Sequence, residues 1–353
     1  MSKAAICVVV PVYKAMATLD RCVESVLAQQ VEGGLTCILV DDGSPDESGA
    51  LCDAWAAKDD RVTVIHQDDL GVSGARNSGL AAADSEFIVF LDSDDALRPG
   101  ALQAALTAQR AAPQDFVVWH YTTDEKDPAA VTADAEPHPQ AGLARLWLDC
   151  LLAMPWNKLY RADLAKQLQF DVQYTLGEDL QFVLDYIALL GQTVPEFGYR
   201  VMTSPLTFYD CSRGGTLSTR YHANYCDIWP KHFAKLNAAC HAAACPAEDM
   251  RPLHRAELQV FAEGVADIMR RDPSPTQRLK GYKAAAALRS PWLRALLERM
   301  KIEGCYSAYY LPCRWHNVGL VCRVDEARRA NAPLYGKLDW AGYYLLLGRM
   351  RRD

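Results

Sequence analysis

The sequence predicts an α/β fold: a mostly parallel sheet flanked by helices, followed by a mainly helical C-terminal region. Three observations carry this reading. Short runs rich in β-branched residues alternate with helical patterns through the first 120 residues. The clearest of these runs are continuously apolar, as strands covered on both faces of a parallel sheet are. Two of them close in carboxylates, and ligands of open α/β sheets bind outside the carboxyl ends of the strands.

The elements follow in order. Ile6 to Val12 is the first strand. Leu19, Cys22, Val23, Val26 and Leu27 then fall on a single helix face. Cys37 to Val40 is a second strand, closing in Asp41-Asp42-Gly43-Ser44. Ser44-Pro45-Asp46-Glu47 reads as the start of the next helix, with serine as cap and proline at the first helical position. Val62 to Ile65 is a third strand, and Gly71 to Ala83 a glycine-rich loop leading into a closely packed helix. Phe87 to Leu91 and Phe116 to His120 complete the set. This order places Pro11-Val12-Tyr13, Asp41-Asp42 and Asp92-Ser93-Asp94 on one sheet edge.

Composition bounds the function. The chain has 353 residues, is 50% hydrophobic and carries a net charge of −7, which argues against a general electrostatic grip on nucleic acid. Twelve cysteines are scattered without a CxxC pair or metal-ligand spacing, and no signal-peptide core opens the chain, so reduced thiols in a cytoplasmic protein are expected. No apolar run reaches the roughly 18 residues that span a bilayer. The first strand-to-helix turn lacks the glycines of a dinucleotide fingerprint, and no Walker motif occurs. Phosphate held by backbone is therefore not expected, and phosphate held through a metal takes its place. Asp92, Asp94 and Asp95 suit a hard cation such as Mn²⁺ or Mg²⁺. A polar turn capping the next helix is the competing reading.

Val8-Val9-Val10-Pro11-Val12-Tyr13, Val40-Asp41-Asp42-Gly43-Ser44, Gly71-Val72-Ser73-Gly74-Ala75-Arg76-Asn77-Ser78-Gly79 and Leu91-Asp92-Ser93-Asp94-Asp95 resemble, in order and spacing, the family 2 glycosyltransferases. The resemblance covers residues 5 to 220 and implies the type A nucleotide-sugar-binding fold, with a catalytic domain over 1–220 and a helical region over 221–353. It implies an inverting transfer from a nucleotide sugar to an acceptor hydroxyl, assisted by Mn²⁺ or Mg²⁺. By the same resemblance, Pro11 and Tyr13 meet base and ribose. Asp42 accepts from the base, which favours uridine, while Asp41 either shares that role or caps the loop. Arg76 and Asn77 lie near the nucleotide and its phosphates. Asp94 is the direct metal ligand, with Asp92 at the ribose or a metal-bound water, and Asp95 caps the following turn.

Inverting sugar transfer needs a carboxylate base on the acceptor side. Met154-Pro155-Trp156-Asn157-Lys158-Leu159-Tyr160 and Leu176-Gly177-Glu178-Asp179-Leu180 resemble the family's acceptor-side signature, which makes Asp179 the base and Glu178 its acidic neighbour. Acids in the first turn of a helix are the plainer reading of that pair. Trp156 either lines the acceptor or sugar pocket or belongs to the core. Arg213, in a glycine-hinged loop, is expected to clamp the diphosphate. Asp210-Cys211-Ser212 ahead of it departs from the commoner pattern.

Leu311 stands where processive synthases carry the glutamine of Q-x-x-R-W before Arg314-Trp315, so single addition is expected. The acceptor implied is a bacterial surface glycan or lipid-linked oligosaccharide. Tyr343 to Leu347 beside Arg349, Arg351 and Arg352 suits a peripheral contact with an anionic membrane face, or a docked helix with a basic tail. The histidines at 222, 232, 241, 254 and 316 show no metal-ligand pattern. A sugar-nucleotide nucleotidyltransferase and an inactive nucleotide-sugar-binding relative are the alternative functions.

Overall fold

The computed structural model describes residues 3–174, 176–212, 220–332 and 335. It divides into two compact units, residues 1–214 and 215–353, where the sequence suggested a boundary after residue 220.

In the first unit β1 (Ala4–Val12), α1 (Leu19–Leu27), β2 (Leu35–Asp42), α2 (Ser48–Lys58), β3 (Val62–Gln67), α3 (Gly71–Ala82) and β4 (Ser85–Phe90) alternate as the sequence predicts. There follow β5 (Ala96–Leu97), α4 (Ala101–Ala111), β6 (Phe116–Thr122), β7 (Ala135–Pro139), α5 (Leu143–Leu148), β8 (Lys158–Arg161), α6 (Ala162–Ala165), α7 (Glu178–Thr193) and β9 (Gly198–Phe208). The strands form one sheet in the order β3-β2-β1-β4-β8-β6-β9-β5, with β7 on the far side of β9. The β3-β2-β1-β4 block is parallel, whereas β8 runs antiparallel between β4 and β6. The sheet is thus mixed: the N-terminal strands form a four-stranded parallel block, and β6 and β9 make a further parallel pair.

Packing explains the composition of each face. Ile6, Val8, Val10 and Val12 share a core with Val23 and Val26 of α1 and Leu102 and Leu106 of α4. Burying each such side chain stabilises the fold by roughly 1.5–3 kcal/mol. On the opposite face α3 lies so close that a Cβ on Gly79 would come within 2.3 Å of Val9 Cγ1. The run from Gly71 is helical from its start, and Gly79 serves the contact with β1 and β2, while Gly71 takes a left-handed φ of 76° at the helix entry.

Ser44 does not cap α2, which begins four residues later. Its hydroxyl accepts from Lys14 N at 3.3 Å, and Ser48 Oγ accepts from Ala15 N at 2.9 Å. Both serines thus tie down the β1–α1 turn, a long-range demand that overrides the local capping pattern.

The second unit is helical among its described residues: α8 (Tyr225–Ala242), α9 (Ala247–Arg271), α10 (Gln277–Ala287), α11 (Pro291–Glu303), α12 (Tyr310–Arg314) and α13 (Val318–Arg329). The stretch Tyr282 to Met300 reads as one helix in sequence but breaks in two. Ser290 Oγ accepts from Leu293 N at 3.3 Å and Pro291 takes the first helical position, which is an N-cap signature. No helix among the described residues is long and apolar enough to cross a membrane. The segment from Tyr343 to Arg352 lies outside the described residues.

Candidate active site

The parallel register aligns three strand ends. Val12 pairs with Asp41, Asp42 with Gln67, and Val9 with Phe90 just before Asp92. Pro11 is buried in β1, while Tyr13 beyond it is exposed, with Lys14 Nζ 4.9 Å from its ring centroid.

Asp41 and Asp42 are consecutive in a strand and so face opposite sides of the sheet. Asp41 turns toward α2, accepting from Ser44 N at 3.1 Å and meeting His66 Nδ1 at 3.0 Å. Burial pushes its carboxyl up, but hydrogen bonds from Ser44 and His66 outweigh this and leave its pKa below the ordinary value. That environment matches the loop-capping reading of Asp41. Asp42 turns toward α3, and its Oδ1 accepts from Gln67 Nε2 at 2.6 Å and Leu70 N at 3.0 Å. Ser78 Oγ, 2.5 Å from Gln67 Oε1, fixes the orientation of that amide.

Asp92 to Asp95 form the turn after β4, closed by Asp95 N donating to Asp92 O at 3.0 Å. Asp95 is buried and receives Asp210 N on Oδ1 at 3.0 Å, while Oδ2 has no hydrogen-bond partner among the described residues. Burial, then the charge of Asp92, pushes its carboxyl up to about 8. Asp95 is therefore more than the turn cap the sequence suggested, since it receives the segment that follows β9. The turn offers only carboxylate oxygens, the donor type a hard divalent cation takes, and Asp94 and Asp92 are the residues that would hold one.

Arg21 of α1 completes this side. Its Nη2 donates to Asp94 O at 2.5 Å and to Asp210 Oδ2 at 2.6 Å. Asp210, which looked like a departure in the loop ahead of Arg213, is thus an anchor that ties this loop to the acidic turn. Arg213 itself lies outside the described residues. Sequence reasoning missed Arg21, and no local pattern marks it, because its partners lie 73 and 189 residues away.

Arg76 differs most from expectation. It is 3% exposed, and its Nη1 donates to Asp179 Oδ1 at 2.6 Å while Nη2 donates to Asp92 Oδ1 at 2.8 Å. The residue expected near the nucleotide and its phosphates thus joins Asp92 of the acidic turn to Asp179 of α7. Asn77 likewise has both amide groups on the backbone of Phe170, donating from Nδ2 to Phe170 O and accepting on Oδ1 from Phe170 N, each at 2.8 Å. Phe170 stacks on Phe182 of α7 with ring centroids 4.0 Å apart. Asn77, expected near the nucleotide, is in this structure a clamp on the Phe170 backbone that helps seat α7.

Glu178 and Asp179 open α7 after Gly177, whose φ of 78° is a left-handed turn. Burial pushes the Asp179 carboxyl up to about 7, against the lowering charge of Arg76. A carboxylate poised near neutrality suits a general base. Lys158 Nζ, fully buried, donates to Leu151 O at 2.7 Å and to Met154 O and Asn157 Oδ1 at 2.5 Å, holding the turn that carries Trp156. Trp156 is 3% exposed and stacks on Tyr209 at 5.4 Å. It supports the site from within the core, and the pocket-lining reading is set aside.

Residues 7–169 match the family model "Glycosyl transferase family 2". The chain carries a family 2 glycosyltransferase domain. Over 124 residues this glycosyltransferase domain is 39% identical to glycosyltransferase GlyG of Streptococcus pneumoniae serotype 4, covering 35% of this chain and 41% of that protein. It is 31% identical over 182 residues to the putative glycosyltransferase EpsH of Bacillus subtilis, covering 49% and 52%. The chain spans about half the length, or less, of these curated relatives. The structure of S. aureus TarS 1-349 in complex with UDP-GlcNAc matches 93% of this chain and 92% of that one, with a TM-score of 0.60 at 17% identity. That likeness establishes the type A glycosyltransferase fold with its helical C-terminal region.

Proposed function

We propose that the protein transfers a sugar, with inversion and one residue at a time, from a uridine-type nucleotide sugar to an acceptor hydroxyl of a surface polysaccharide or lipid-linked glycan. The observation that carries the reading is the pairing of Asp92 and Asp179 on the single guanidinium of Arg76. It puts a candidate base in register with the turn that would hold the donor.

Pro11, Tyr13 and Asp42 would receive the nucleoside, with Asp42 accepting from a base N–H. Asp94, with Asp92, would hold Mn²⁺ or Mg²⁺, which when bound supplies Lewis-acid stabilisation of the charge developing on the diphosphate. Asp179 accepts the acceptor hydroxyl proton through Oδ as that oxygen attacks the sugar carbon. The GlcNAc-nucleotide bound by TarS supports a uridine donor for this fold.

Calorimetry with UDP and Mn²⁺ is expected to show binding that chelation weakens and Asp94→Ala largely removes. Equal affinity in that variant would overturn the metal assignment. Asp179→Asn should retain donor affinity while transfer falls by roughly 10²-fold or more, the scale of a lost general base. Near wild-type transfer by Asp179→Asn with an inactive Glu178→Gln would move the base to Glu178.

A further inference from the structure

The helical unit holds a buried polar cluster that sugar transfer does not use. His254 of α9 and Cys305, just past α11, are buried on either side of Glu303. His254 Nδ1 lies 2.7 Å from Glu303 Oε2, and Cys305 Sγ lies 3.6 Å from the same oxygen. The three side chains each offer a ligand atom, all within 4.8 Å of one another. Local structure fixes them there. Gly304 turns the chain with φ 65°, and Cys305 N donates to Met300 O at 2.9 Å, which sets the thiol beside the last residue of the helix.

Neighbouring polar side chains hold the cluster in place. Asn237 Nδ2 donates to Phe233 O at 2.9 Å and Glu257 Oε1 at 2.6 Å, so both of its protons are used. Its Oδ1 therefore faces His254 Nε2, 3.1 Å away, as an acceptor, and Arg299 Nη1 approaches the same oxygen at 3.5 Å and Nε2 at 3.3 Å. In the metal-free protein a ring proton on Nδ1 satisfies the 2.7 Å contact with Glu303, and a divalent cation on Nδ1 would take the place of that proton.

We propose that His254, Glu303 and Cys305 bind a borderline divalent cation, with Zn²⁺ the best match. An imidazole nitrogen, a carboxylate oxygen and a thiolate are its preferred donors, and three protein ligands leave a fourth position for water. With the cation on Nδ1, the ring proton would sit on Nε2 and donate to Asn237 Oδ1, the outer support that a metal-bound histidine characteristically has. Glu303, its side chain 28% exposed, gives access from solvent. Binding converts the Cys305 thiol to a metal-bound thiolate and releases its proton to solvent. The ion would staple α9 to the end of α11, a structural role separate from the acidic turn of the other unit.

The test uses the full-length Asp94→Ala protein, which lacks the principal ligand of the acidic site, stripped with chelator and titrated with Co²⁺. One equivalent should bind with near-ultraviolet thiolate-to-cobalt absorption, displaced by Zn²⁺. Cys305→Ser should abolish that absorption, and His254→Gln and Glu303→Gln should weaken Zn²⁺ binding by about 100-fold or more. Zn²⁺ should also raise the unfolding temperature of the Asp94→Ala protein. Absence of the absorption, or its persistence in Cys305→Ser through another thiol, would overturn the site. So would unchanged Zn²⁺ affinity in Glu303→Gln, whose partly exposed side chain makes it the variant least prone to misfold.

Discussion

Because Asp92 and Asp179 share one guanidinium, a change at Arg76 acts on both. The proposed base works in its ionised form, so with Asp179 pushed up to about 7, turnover should rise as pH increases through that value. Arg76 favours the ionised carboxylate and thereby lowers this pKa, so Arg76→Met should move the acid limb of the profile to higher pH. Arg76→Lys should reduce activity as well, since an ammonium does not reproduce a planar fork aimed at two carboxylates. The pH dependence of kcat/KM for the three proteins measures this, and an acid limb unmoved in Arg76→Met would refute the coupling. Asn77→Ala is expected to act differently. It frees Phe170, and through it the start of α7, so kcat should fall more than donor affinity, read by turnover alongside UDP calorimetry.

At the scale of elements, α3 depends on a close approach that only glycine allows. Gly79→Ala places a methyl 2.3 Å from Val9 Cγ1 and should destabilise the first unit by about 1–3 kcal/mol, the range for overpacking, as measured by urea unfolding. The same contact explains why α3 was hard to read. Its glycines signal a loop locally, and only the sheet beneath explains Gly79. Strands β1, β2 and β4 were legible because burial on both faces leaves an unbroken apolar run, which composition alone reveals. Strand β8 was not, since Lys158-Leu159-Tyr160-Arg161 is short and its buried lysine is accounted for by carbonyls of the preceding turn. Strand β7 was hidden by its two prolines, tolerated because it lies at the sheet edge. Within the site, the acidic turn and the Glu178-Asp179 pair were readable as motifs. The bridging role of Arg76 was not, because its carboxylate partners lie 16 and 103 residues away.

At the scale of the whole molecule, we propose from sequence that the C-terminal segment gives peripheral membrane attachment. Arg349, Arg351 and Arg352 near an anionic surface supply only about 3 kcal/mol, at roughly 1 kcal/mol each. Full-length protein should therefore sediment weakly with anionic vesicles, less so at high salt, and truncation after Asp339 should abolish it. Co-sedimentation unaffected by the truncation would exclude the segment. The position of β8 bears on how the chain is made. It fills the gap between β4 and β6, yet about 68 residues separate Phe90 from Lys158. At roughly 5–20 residues per second, a ribosome leaves the outer edge of β4 without its neighbour for roughly 3–14 s. Over that interval a nascent chain presents an apolar strand with open backbone groups, the kind of edge that recruits a strand from another chain. The half-made protein, more than the finished one, is then the species that needs a chaperone, and slowing translation between residues 90 and 158 should lower soluble yield without altering the stability of the molecules that fold.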